Sequence, residues 1–229
     1  MKHIGIIGDS RGIGKALRDQ LLAEGHHVYG VSRSGGSVHP NHHHIATDAV
    51  ASAVDFSEYT EVLDGLVYCP GTINLKPFRG LKEEDIMNDL KVNYVGAFMN
   101  VQNNLKLLKK SQHPSVVLFS TVAVQTGMSF HASIASAKAA VEGLTRSLAA
   151  ELAPSIRVNC IAPSLTDTSL AEGLLNNDKK REAANERHPL KRIGSAEELA
   201  ASAAYLLGDH SSWMTGQILH LDGGMSAIR

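Results

Sequence analysis

The chain is poor in most of what marks a specialised surface. Two cysteines, Cys69 and Cys160, cannot staple a small secreted scaffold, and so few suggest a reducing compartment. A single tryptophan and 5% aromatic residues offer little for stacking bases, and Trp213 and Phe130 read as packing residues. Neither sign of charge dominates. The 22 Lys and Arg against 23 Asp and Glu leave a formal charge of -1, without the basic face that a phosphate backbone requires. No apolar run reaches the roughly 18 residues of a membrane span. Met1-Lys2-His3 passes into a strand-like segment with no signal-peptide pattern. A cytoplasmic protein with neither a membrane nor a nucleic-acid partner is therefore expected. What is present is 43% hydrophobic residues over 229 positions, enough for one large domain spanning residues 1–229.

Strand and helix signals alternate from end to end. Short apolar runs predict strands over His3–Ile7, His27–Ser32, His43–Asp48, Gly65–Cys69, Val116–Ser120, Arg157–Ile161 and Gln217–Leu221. Helical spacing falls between them, over Gly12–Glu24, Phe56–Leu63, Leu81–Lys110 (one helix or two end to end), Ile134–Leu152 and Ala196–Leu207. Repeated β-α units of this kind predict an α/β fold: a single-domain, Rossmann-type, doubly wound parallel sheet with helices on both faces. About ten residues of Ser, Gly, His and Pro separate the second and third strands. That gap is too short for an ordinary crossover, so the helix there is expected to be shortened or absent. The polar stretch near 164–194 stands where such a fold carries a substrate-covering lid.

The first strand runs into Gly8-Asp9-Ser10-Arg11-Gly12-Ile13-Gly14, which opens the first helix. Glycines at 8, 12 and 14 let the backbone turn tightly and approach a pyrophosphate, which the helix N-terminus then stabilises. A dinucleotide site is expected over Gly8, Ser10, Arg11, Gly12, Ile13 and Gly14. The second strand ends Val31-Ser32-Arg33-Ser34, with no carboxylate to hold a ribose 2′-hydroxyl. Arg33, with Arg11 close by in the turn, suits a 2′-phosphate, so NADP(H) is expected over NAD(H).

The spacing of the glycines resembles that of the short-chain dehydrogenase/reductase family, and the resemblance covers essentially the whole chain. Further matches follow in order: Asp48 after the third strand, Gly71 after the fourth, Asn93 in Lys91-Val92-Asn93-Tyr94, and Lys138 in Ser136-Ala137-Lys138-Ala139. Arg157-Val158-Asn159-Cys160-Ile161-Ala162-Pro163 and Thr215-Gly216-Gln217 through Asp222-Gly223-Gly224 complete the set. The resemblance implies that Asp48 addresses the adenine. It places Cys69, Pro70 and Gly71 along the route to the nicotinamide, Thr168 at its carboxamide or a phosphate, and Lys138 at its ribose. It also implies a small-molecule substrate and a homodimer or homotetramer.

Family members that reduce ketones share an Asn, a Ser, a Tyr and a Lys. The phenol gives a proton to the substrate oxygen, the Lys one turn on depresses the phenol pKa, the Ser steadies the oxyanion and the Asn props the Lys. Here Asn93 and Lys138 match, and Thr121 stands at the Ser position with Ser120 beside it. The tyrosine position is Ile134, which can neither give nor take a proton. Four residues after the five tyrosines come Arg33, Leu63, Thr72, Phe98 and Asp209, so no Tyr-x-x-x-Lys exists in the chain. The enoyl reductase branch carries its tyrosine seven residues before the Lys, where this chain has His131. Imidazole is a competent acid near neutral pH, so His131 joins Asn93, Thr121 and Lys138 as a catalytic candidate.

Two functions follow. One is an NADP(H)-dependent oxidoreductase acting on a carbonyl, an alcohol or an enoyl substrate with an unusual proton donor. The alternative is a catalytically silent dinucleotide-binding protein serving as sensor, scaffold or partner subunit. No metal site is expected: His42-His43-His44 alternate along a strand and read as a surface patch. Cys69 and Cys160, at strand ends, read as small buried residues. Ser164 departs from the Gly that usually follows the Pro in the family.

Overall fold

Short aliphatic runs without polar alternation become strands covered on both faces, because each face must find an apolar partner. In the computed structural model, which describes residues 1–228, the runs are β1 (His3–Ile7), β2 (His27–Ser32), β3 (His42–Ala46), β4 (Gly65–Tyr68), β5 (Ser115–Phe119) and β6 (Arg157–Pro163). Two two-residue strands follow, β7 (Thr166–Asp167) and β8 (Gly194–Ser195), and then β9 (Ile218–Leu221). The helices are α1 (Gly12–Ala23), α2 (Glu83–Leu90), α3 (Gly96–Asn103), α4 (Leu105–Leu108), α5 (Ala123–Thr126), α6 (Ala132–Leu152), α7 (Asp178–Glu186) and α8 (Ala196–Leu207).

Seven strands form one all-parallel sheet in the order β3-β2-β1-β4-β5-β6-β9. Leu17, Leu21 and Leu22 of α1 pack with Leu199, Ala203 and Leu206 of α8 against Ile4, Ile6, Val67 and Val117 on one side. Ala97 and Val101 of α3 and Val141, Leu144 and Leu152 of α6 pack against Leu66, Val116 and Val158 on the other. This is the doubly wound α/β architecture expected. The strand order reverses between β1 and β4, so a crevice opens at their carboxyl ends, where such folds bind ligands.

The β2–β3 link follows expectation, while several other elements depart from it for identifiable reasons. No helix joins β2 to β3; stacked rings cover the sheet there instead, His3 on His27 at 4.9 Å and Tyr29 on His43 at 5.2 Å. The helix expected over Phe56–Leu63 is a single 3₁₀ turn, Phe56–Glu58. Its backbone groups are taken by side chains of the following helices: Val54 N–H donates to Asn100 Oδ1 and Phe56 N–H to Asn104 Oδ1.

The helix expected over Leu81–Lys110 is broken by a π turn, Lys91–Val95. Tyr68 explains it. Its hydroxyl donates to the Val92 carbonyl at 2.7 Å, and the Gly96 N–H bonds to Lys91 O instead, one residue further back. Gly96 is required, since a Cβ there would collide with the same hydroxyl. The histidine triplet is not a surface patch. His42 is buried with Nε2 3.0 Å from Asp9 Oδ2, His44 Nε2 lies 2.9 Å from Ser32 Oγ, and His43 stacks on Tyr29.

The polar stretch after β6 is ordered. β7 pairs with β8, Asn177 caps α7 by accepting from Lys180 N–H, and Ala171, Leu175, Ala184 and Ile193 form a small core of their own. No helix among the described residues is long and apolar enough to cross a membrane.

Candidate active site

The crevice holds two voids. One, of about 520 Å³, runs from the glycine-rich turn past Arg33 and Asp48 to Gly71. The other, of about 400 Å³, lies under the segment after β6. They share Ile13, Cys69, Gly71, Thr72, Thr168 and Leu170, so they meet at one neck.

The glycine-rich turn is built as its spacing predicted. Gly8 (φ +87°) and Gly12 (φ +53°) take left-handed backbone, and a Cβ at Gly14 would collide with the Gly8 carbonyl. Arg11, the N-cap of α1, makes no side-chain cap bond, so the first-turn N–H groups face the groove with no protein side chain capping them. Ser10, Arg11, Ile13 and Arg33 line the same groove, with both arginines exposed. Thr168 packs on Gly12. Exposed Asp48 accepts from Val50 N–H and Ala51 N–H through Oδ1. Under the turn lies a fully buried acid that the motif did not disclose. Asp9 faces His42 at 3.0 Å and Arg18 at 3.6 Å through Oδ2, while its Oδ1 makes no hydrogen bond.

At the neck, Lys138 is buried and its Nζ donates to Phe119 O at 2.9 Å. Burial lowers its pKa to about 8, with Cys160, Cys69 and Asp89 pulling the other way. Asn93 lines neither void directly; it lies behind Gly71, 1% exposed, on the π turn. A Cβ at Gly71 would sit 3.2 Å from Asn93 Oδ1 and 3.5 Å from Lys138 Nζ, which locates both groups at the neck. Asn93 Nδ2 donates to Thr72 Oγ1 at 2.9 Å and to Asp89 O at 2.8 Å, whereas its Oδ1 is buried without a hydrogen-bond partner.

Asp89 sets that orientation, and sequence reading missed it. Its carboxylate accepts from Thr72 Oγ1 at 2.6 Å, Asn74 Nδ2 at 3.3 Å and Ser133 Oγ at 2.5 Å. A carboxylate only accepts, so Thr72 must donate to it; Thr72 then accepts, so Asn93 must present its amide N–H, and Oδ1 is left to face the neck. The available signal was an acid one helical turn ahead of Asn93.

Thr121, His131, Ile134 and Lys138 all line the second void. Thr121 Oγ1 accepts from Ala123 N–H at 3.3 Å. Ser120 is committed elsewhere, donating to Glu142 Oε1 at 2.8 Å. Half-buried His131 is the N-cap of α6; its Nδ1 lies 2.8 Å from Ser129 O, so Nδ1 carries the hydrogen and Nε2 is the free nitrogen. Ile134 presents an aliphatic wall, and no tyrosine lines either void. Cys69 is not the wholly buried packing residue expected, because it reaches both voids. Burial pushes its thiol up to about 12, so it stays neutral. Cys160 is buried in β6. Ser164 and His188, on the same cavity wall, were also not foreseen as a pair.

A family model described as Enoyl-(Acyl carrier protein) reductase matches residues 7–226. The 3-oxoacyl-(acyl-carrier-protein) reductase FabG of Aquifex aeolicus (strain VF5) is 32% identical over 238 residues, covering 96% of this chain and 95% of its own. Among solved structures, the ligand-free aldohexose dehydrogenase AldT of Thermoplasma acidophilum superposes with TM-score 0.91 at 27% identity, covering 100% of this chain and 95% of its own. A short chain dehydrogenase family protein of Francisella tularensis gives TM-score 0.91 at 26% identity over 99% of each chain. A full-length match, a crevice at the strand reversal and a lysine and an asparagine meeting there lead to one classification: the chain belongs to the short-chain dehydrogenase/reductase family of oxidoreductases.

Proposed function

We propose that the chain is an NADP(H)-dependent oxidoreductase that moves hydride to or from a carbonyl, alcohol or enoyl carbon without a tyrosine as proton donor. One observation carries this reading. Buried Lys138 and the unpartnered Asn93 Oδ1 face the neck joining a phosphate-suited groove to an apolar cavity. A chain that only bound a dinucleotide would have little use for that asparagine.

The groove fits the cofactor on its own chemistry. Backbone N–H groups of the turn between Gly8 and Gly14 and the α1 N-terminus suit a pyrophosphate. Arg11 and Arg33 suit a 2′-phosphate, Asp48 lies at the adenine end, and Cys69, Pro70, Gly71 and Thr168 lead to the neck. The bound dinucleotide would supply the hydride chemistry. Lys138 holds ribose hydroxyls and, as a cation, favours negative charge developing in the cavity. Asn93 Oδ1, which has no protein donor, would accept a hydrogen bond from an ordered water that in turn steadies that cation. Thr121 offers its hydroxyl to the developing oxyanion. The proton comes from an imidazole on the cavity wall, for which His131 is the candidate named by sequence. The segment near 164–194 acts as the lid, and the chain assembles as a homodimer or homotetramer.

Fluorescence titration with NADPH and NADH, then NADPH consumption with a panel of ketones and enoyl thioesters, tests the reading. Tighter NADPH binding and steady consumption are expected; tighter NADH binding refutes the cofactor choice. Binding without consumption favours the silent protein, the reading supported by the position of Ile134.

A further inference from the structure

The end of β6 and the residue pair after α7 bring Ser164 and His188 together on the cavity wall. The His188 ring is 1% exposed and held at both nitrogens. Nδ1 lies 2.8 Å from Ala184 O and Nε2 2.8 Å from Ser164 Oγ. A carbonyl only accepts, so Nδ1 carries hydrogen in every state of the ring. In the neutral ring Nε2 is therefore an acceptor, and the Ser164 hydroxyl must donate to it. In the protonated ring Nε2 donates instead, and the Ser164 proton is released toward whatever occupies the cavity. Both states keep every hydrogen bond, which is the arrangement of a hydroxyl served by an oriented base.

No other hydroxyl on this wall is hydrogen-bonded to an imidazole among the described residues. Thr72 donates to Asp89, Ser120 to Glu142, and Thr121 takes a bond from a backbone amide. His131 stands at the half-buried N-cap, whereas His188 is shielded from solvent and acts only through Ser164.

We propose that Ser164 and His188 form the proton-transfer couple of this cavity, with Ser164 the catalytic residue at the substrate oxygen and His188 the positioning residue that stores the proton. This rests on the proposed function and names its missing acid. In the oxidation direction the substrate O–H bond breaks and its proton passes to Ser164 Oγ. At the same time the Ser164 proton passes to His188 Nε2, giving an imidazolium. The electron pair of the carbinol C–H bond leaves as hydride to the oxidised nicotinamide dinucleotide of the proposed function. Reduction runs the same transfers backward and leaves His188 neutral. A hydroxyl relay of this kind serves an oxygen, so the substrate class is a ketone or secondary alcohol rather than an alkene. The cavity side chains Ile73, Leu75, Met128 and Leu174 call for an apolar body on that substrate.

Two measurements test the couple. In the first, the protein without dinucleotide is treated with diisopropyl fluorophosphate and mapped by peptide mass spectrometry. The Ser164 Oγ–P bond forms, the P–F bond breaks, fluoride leaves and the serine proton goes to His188. An adduct at Ser164 is expected, forming about 10²-fold more slowly in His188→Gln. In the second, medium-chain aliphatic ketones are reduced with NADPH. Ser164→Gly and His188→Gln should each lower kcat about 10²–10⁴-fold, while NADPH affinity and the melting temperature stay near the parent values. No adduct at Ser164, equal labelling in His188→Gln, or parent-level turnover in either variant overturns the couple. If the parent does not bind NADPH, the proposed function falls, and the labelling result alone decides the couple.

Discussion

Lys138 is a buried cation whose burial costs stability at a position that the proposed function puts to chemical use. Its pKa is lowered from the ordinary 10.5 to about 8 because a buried ammonium loses its hydration. Between those values the native chain holds fewer protons than the unfolded chain at this site, so the cost of the buried charge disappears as pH climbs through that window. Lys138→Met should therefore melt at a higher temperature than the parent at pH 7, and the gap should narrow from about pH 8 upward. The same variant should lose turnover, as active-site groups held against stability commonly do. A second expectation concerns Ile134, which lines the cavity four residues ahead of Lys138. Ile134→Tyr places a phenol one turn from the ammonium and should raise ketone reduction by about 10²-fold, read as NADPH oxidation. Lys138, Asn93 and Thr121 entered the candidate site through the family resemblance, which assigns residue types to positions along the chain. Asp89, Thr72, Ser164 and His188 did not. Their partners are separated by 15 to 44 positions along the chain, so only folding makes them neighbours.

The π turn between α2 and α3 shows how an element can be set by a neighbour rather than by its own residues. Lys91–Val95 has ordinary helical composition, and its altered hydrogen bonding comes from the Tyr68 hydroxyl arriving from β4. Gly96→Ala should clash with that hydroxyl and displace it. About 1–3 kcal/mol of stability should be lost, the range for overpacking a well-filled site, together with turnover, because Asn93 rides on the same turn. Denaturant unfolding and kcat measured side by side check this. If Gly96→Ala unfolds at the parent denaturant midpoint, this account of the turn is wrong. The seven strands of the main sheet and the helices α1, α6 and α8 were readable within a few residues because their periodicity is local, whereas the two-residue β7 and β8 carried no such pattern. The 3₁₀ turn at Phe56 was misread for the opposite reason. Asn100 of α3 and Asn104, just after it, arrive from later in the chain to take the Val54 and Phe56 N–H groups, and no local pattern reveals that.

In the molecule as a whole, the order of the strands places the groove, and the groove couples ligand to fold. A dinucleotide that binds only the native state at a hundred times its Kd should add about 2.7 kcal/mol. NADPH should therefore raise the melting temperature more than NADH at equal concentration, and Arg33→Ala should erase most of that difference. The overall architecture was the most legible level, since alternating strand and helix signals with right-handed crossovers leave few topologies. The missing β2–β3 crossover was legible too, from the shortness of the gap. What covers the sheet there, stacked imidazole and phenol rings, was not. The passage at Gly71 has a kinetic consequence. A Cβ at Gly71 would sit 3.2 Å from Asn93 Oδ1 and 3.5 Å from Lys138 Nζ, so the bare glycine leaves both head groups open to the neck. If a dinucleotide fills the groove as proposed, the second ligand should meet a neck already occupied on its far side. Product-inhibition kinetics should then show the dinucleotide entering first and leaving last, and random order would contradict this.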